Sequence, residues 1–162
     1  MNKFKKSMLE RTNIETNKQF QRLVEKTQVL VPQNGLMECT KNRLTHSYEV
    51  ATSSMLIATD IAERLGVSVS EIDYEFSLYN VSLLHDVGQC AFGHDGQSVV
   101  HNIFVDLGLK EGFDDNNNNL ITIEKNNLLV SDYTTASLIK YPHKLYDYQK
   151  DYYIPLLKDA ID

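Results

Sequence analysis

The feature that most constrains this chain is the spacing of its apolar residues between Ser47 and Val87. Val50, Leu56, Ile57, Ile61 and Leu65 fall mainly at helical intervals, and Gly66 follows as a stop, which predicts a helix over 47–65. Ser68 and Glu71 have the spacing of a capping box, and Ile72, Phe76, Tyr79 and Leu83 then recur at i, i+4, i+7 and i+11. A second helix is predicted from there to about Val87, ended by Gly88.

The rest of the chain keeps that period. Gln89 to Gly96 reads as a tight glycine loop, after which Val99, Val100, Ile103, Phe104 and Leu107 restart a helix closed by Gly108. The Asn-heavy stretch from Asp114 to Asn119 reads as a solvated turn. Helical pieces are expected over 120–129 and 134–140, the second stopped by Pro142, and a last helix over 148–161. No period-2 run is long enough for a convincing strand, although Thr27 to Val31 could pair briefly. With no internal repeat and no linker, the expected class is all-α, in one domain of 162 residues.

Charge and cysteine usage narrow the functions open to such a domain. Sixteen basic against 22 acidic side chains leave a formal charge of -6, which disfavours a protein that wraps a nucleic-acid backbone. An anionic substrate would have to meet a local cationic or metal site. Cys39 and Cys90 are too few for a disulfide framework, Met1 to Glu10 has no apolar signal core, and no run of about 18 apolar residues occurs. A cytoplasmic protein without a membrane partner is the expectation.

Four of the five histidines, His46, His85, His94 and His101, crowd into the central part of the chain. His46 stands at the start of the first predicted helix and His85-Asp86 at the end of the second, so antiparallel packing of the two would bring three polar side chains together. Imidazole and carboxylate groups in that number suit a hard or borderline divalent cation with positions left open for water or phosphate oxygens. Taken singly, each histidine is more often a structural or exposed residue, and a His-Asp pair alone decides nothing.

The string Asn42-Arg43-Leu44-Thr45-His46-Ser47-Tyr48-Glu49-Val50, followed by Leu84-His85-Asp86-Val87-Gly88 and Phe92-Gly93-His94-Asp95-Gly96, resembles the HD-domain deoxynucleoside triphosphate triphosphohydrolases, the dGTPase branch in particular. Lys26-Thr27-Gln28-Val29 upstream, and Gly112-Phe113-Asp114-Asp115-Asn116 and Leu138-Ile139-Lys140-Tyr141-Pro142 downstream, look like further segments of that branch in the same order. The resemblance implies an HD-domain helical bundle in which 1–19 is an N-terminal arm, 20–142 the family-like core and 143–162 a C-terminal helix. It implies His46, His85 and Asp86 as ligands of a divalent metal, Mn²⁺ or Mg²⁺. The fourth ligand would be Asp162, with Asp159 as the fallback. Gln28 resembles the residue that contacts the deoxynucleoside, and Arg43 and Lys140 resemble cations along the phosphate path. Tyr141 and Asn116 are counted with them as substrate-binding. His94 resembles the histidine beside the scissile bond.

The chain also departs from the family pattern. The carboxylate expected three residues after His94 is Gln97, the His or Asn expected after Gly88 is Gln89, and two prolines are replaced by Cys90 and Ala91. A carboxamide cannot accept a proton as a carboxylate does, and Asp95, one residue from His94, is a candidate substitute. Family members continue well beyond the point where this chain stops, so the expectation is a minimal version, a fragment or one piece of a split enzyme. Two readings stay open: metal-dependent hydrolysis of a dGTP-like substrate to deoxynucleoside and triphosphate, and a catalytically weakened homologue that binds nucleotide or a protein partner. Expected partners are a deoxynucleoside triphosphate, further copies of the chain, and a protein or second chain supplying the missing C-terminal part.

Overall fold

Helix α3, Arg43–Leu65, is the longest element of the computed structural model, which describes residues 2–28, 41–73, 76–140 and 144–161, the side chains of 156 and 158–161 excepted. It begins four residues before the predicted start because Asn42 caps it, its side-chain oxygen accepting from the Thr45 amide at 2.9 Å. It ends at Gly66, whose φ of 68° is the left-handed closure that glycine adopts without strain. Before it come α1, Lys3–Thr16, then α2, Lys18–Gln21, and a 3-10 turn over Arg22–Glu25. Of the short pairing expected over Thr27 to Val31, Thr27 forms an isolated antiparallel bridge with Asn42 and the Gln28 amide donates to the Lys41 carbonyl at 2.8 Å, while 29–31 lie outside the described residues. No strand occurs among the described residues, and the all-α expectation holds.

The face of α3 that turns inward is not its most apolar one. Ser47, Ala51, Ala58 and Ala62 are buried, whereas Leu56 and Leu65 are 67% and 66% exposed and Ile57 is 61% exposed. Small side chains let α5 approach closely, and Ser82 on α5 donates to Ser54 on α3 at 2.9 Å. Hydrophobic spacing thus identified the helix correctly but not the side that packs.

The second predicted helix is two helices, α4 at Val69–Ile72 and α5 at Leu78–Leu84. The capping box at Ser68 and Glu71 forms. The break follows from Asp73, a buried carboxylate that accepts from the Ser77 amide at 2.9 Å and the Leu78 amide at 2.8 Å, thereby starting α5 afresh. Next come α6, Gly93–Asp106, and α7, Asp115–Lys125, and then α8, Asp132–Ser137, and α9, Asp147–Ile161. Helix α6 opens six residues before its first predicted apolar position, so His94 stands on a helix rather than in the predicted loop, with Gln97 on the same helix.

The stretch expected as a solvated turn is the cap and first half of α7. Asp114 caps it through the Asn117 amide at 3.1 Å, and Asp115, Asn117 and Asn119 are buried. Their side chains satisfy backbone groups of other segments, and those tertiary bonds outweigh the weak helix propensity of asparagine. Beneath lies a core that includes Phe20, Leu23, Leu83, Leu84, Leu120 and Tyr153, the last donating its hydroxyl to Glu124.

Candidate metal centre and its surroundings

His46 lies in the first turn of α3, and His85 and Asp86 directly follow α5. Packing of the two helices brings these residues together: one ligand atom from each lies within 4.8 Å of the others, and the two imidazole rings are 5.4 Å apart. His85 Nδ1 is 2.6 Å from the Ser82 carbonyl oxygen, so that nitrogen carries the proton and Nε2 keeps its lone pair for a cation. Burial lowers the His46 pKa, and the neighbouring His85 adds to the effect. A neutral imidazole is the form that binds metal. Two nitrogen donors and a carboxylate fit a divalent transition metal or Mg²⁺.

The turn carrying these ligands is fixed by three side chains from two segments. Asn119 on α7 donates to the His85 carbonyl at 2.6 Å and accepts from the Gly88 amide at 2.6 Å. Asn118 donates to the Gly88 carbonyl, and Lys26 donates to the Gln89 carbonyl at 2.6 Å. Gly88 is required by close approach, since a Cβ there would lie 2.4 Å from the Asn118 backbone.

Arg43 is 4% exposed, and its Nη1 donates to Asp86 Oδ2 at 2.9 Å and to the Gln89 side-chain oxygen. It therefore orients the Asp86 carboxylate and offsets its charge. Gln89, a departure at the sequence level, is the residue that shares this guanidinium.

Two cavities flank the cluster. One, about 600 Å³, is lined by His85, Asp86, Gln89, His94, Gln97 and Asn116, with Lys140 and Lys144 also on its wall. The other, about 360 Å³, is lined by Gln28, Arg43, His46, Asp86, His94 and Asp95. His94 and Asp95 are exposed, and His94 Nδ1 lies 3.3 Å from the Gln97 side-chain oxygen. Tyr141 and Asp162 lie outside the described residues, as does the side chain of Asp159. The residues that sequence reasoning did not reach are Asn119 and Asp115. Neither has a local signal, because the groups they hold are about 30 positions away in the chain.

The helical class and the cluster of His46, His85 and Asp86 between two cavities define a candidate metal centre. No protein-family model matches the chain. The chain is similar to proteins named deoxyguanosinetriphosphate triphosphohydrolase-like from Rhizobium etli (35% identity over 106 residues, 65% of this chain and 22% of that protein). It is likewise similar to those from Pelagibacter ubique (38% over 97 residues, 60% and 22%) and Leptospira interrogans (37% over 101 residues, 62% and 23%). The matched part of the chain resembles these dGTPase-like proteins. The chain spans about a fifth of the length of the curated relatives it matches. No helix of the described residues is long and apolar enough to cross a membrane.

Proposed function

We propose that the chain carries the metal site of a deoxynucleoside triphosphate triphosphohydrolase and cleaves a dGTP-like substrate to deoxynucleoside and triphosphate. The observation that carries this reading is the convergence of His46, His85 and Asp86 between two cavities with basic groups on their walls. A divalent cation, Mn²⁺ or Mg²⁺, held by these three residues with Asp162 as a fourth ligand, would supply Lewis-acid polarisation of the α-phosphate.

Each of the chain's own groups has work in that reaction. A water oxygen bonds to the α-phosphorus as the bond to the nucleoside 5′ oxygen breaks, so the water oxygen leaves in the triphosphate and the 5′ oxygen takes a proton. His94, exposed on the walls of both cavities, serves that proton transfer. Arg43 and Lys140 offset the charge of the phosphates in a protein that is acidic as a whole. Gln28, with a buried side-chain oxygen that has no hydrogen-bond partner among the described residues, binds the deoxynucleoside, and Asn116 and Tyr141 contribute to the same substrate. The protein works in the cytoplasm and associates with copies of itself or with a protein partner.

Gln97 favours a second reading, in which the chain binds nucleotide with weakened turnover, because a carboxamide at 3.3 Å from His94 cannot share a proton as a carboxylate would. Product analysis after incubation with each deoxynucleoside triphosphate and Mn²⁺ or Mg²⁺ separates the readings. Inorganic triphosphate is the expected product. Monophosphate release would replace this reaction with another, and nucleotide binding without turnover would establish the second reading.

A further inference from the structure

The carboxylate missing at Gln97 directs attention to the other acids near His94. Asp95 is exposed on the same turn of α6, and Asp114 is committed to capping α7 through the Asn117 amide. Asp115 differs from both. It is 7% exposed, its Oδ1 accepts from the Cys90 amide at 3.0 Å, and its Oδ2 is buried with no hydrogen-bond partner among the described residues.

Asp115 lines the 600 Å³ cavity together with His94, Gln97, His85 and Asp86. A buried carboxylate with one oxygen uncommitted is costly, and such a group in a native structure calls for an explanation, a role in binding or catalysis among them. The charges that face it come from three segments: His94 on α6, Lys26 ahead of α3, and Asp114 on its own helix, with the Cys90 thiol beside it. Burial raises the Asp115 pKa, and the charge of His94 opposes that rise. The geometry that joins the two groups is the cavity whose wall both form.

We infer that Asp115 is the carboxylate partner of His94, a positioning residue that favours the imidazolium His94 becomes when it holds the reaction's proton. Gln97 then keeps only the task of orienting the ring through Nδ1. The catalytic meaning of the pair rests on the triphosphohydrolase reading, whereas the pairing itself does not.

The test therefore has two arms. In the metal-free protein, side-chain carboxyl NMR follows the titration of Asp115, and His94→Ala, a change at an exposed position, is expected to move its midpoint to higher pH. An unmoved midpoint overturns the inference, whether or not the protein turns over any nucleotide. Where the wild type releases triphosphate, Asp115→Asn is expected to lower kcat on the order of 10-fold or more with little change in KM. It should also flatten the pH profile, add nothing to His94→Ala, and be rescued in part by a second change, Gln97→Glu. Wild-type kcat and pH profile in Asp115→Asn would overturn the inference. A wild type inert towards every deoxynucleoside triphosphate would sink the triphosphohydrolase reading alone, leaving the NMR arm to decide the pairing.

Discussion

Asn119 grips the turn after α5 at both ends, donating to the His85 carbonyl and accepting from the Gly88 amide. Replacing it with Ala removes two buried hydrogen bonds and should cost about 2 kcal/mol in a denaturant titration, at roughly 1 kcal/mol for each bond. Because those bonds orient a metal ligand, Mn²⁺ affinity should also fall about 10-fold or more. Unchanged stability and affinity would show that the turn holds itself. His46 gives a pH dependence. Its folded pKa lies below that of the unfolded chain, so its contribution is complete above the ordinary histidine value and is lost as pH falls through the folded one. Thermal unfolding of the metal-free protein should therefore lose more stability between pH 7.5 and pH 5 in the wild type than in His46→Asn; equal losses would contradict the assignment. At this scale the sequence was informative wherever a residue marks the end of a helix, as His46, His85 and Asp86 do. It was silent on Asn119 and Asp115, whose partners are distant in the chain and whose neighbours read as an exposed Asn-rich turn.

Helix existence was legible from apolar period and glycine stops, and α3 and α9 stand close to where they were expected, whereas α6 opens inside the stretch that reads as a glycine loop. Two features were not. The break between α4 and α5 depends on a buried carboxylate at Asp73 taking over two backbone amides, and apolar spacing runs through it without interruption. The packed face of α3 is set by alanine and serine, which a hydrophobic pattern scores weakly against leucine and isoleucine. Contact between elements can be probed at Gly88, where the turn after α5 meets the backbone of α7. Gly88→Ala should destabilise by about 1–3 kcal/mol, since a Cβ 2.4 Å from Asn118 must push the turn and helix apart. A neutral effect in chemical denaturation would mean that the two segments separate freely.

At the scale of the molecule, an acidic chain concentrates its ligands and several cations around two adjoining cavities, while apolar side chains such as Leu56, Leu65 and Leu107 remain exposed. Burial of such faces favours association. Sedimentation at micromolar concentration should therefore give a species larger than 18.6 kDa, and a strict monomer would contradict self-association. The function nonetheless turns on the cluster of His46, His85 and Asp86, and calorimetric titration of the metal-free protein with Mn²⁺ tests it most directly. One ion bound per chain, with binding lost in both His85→Ala and Asp86→Ala, is the expected result. Saturable binding that survives those substitutions, or none in the wild type, would contradict it.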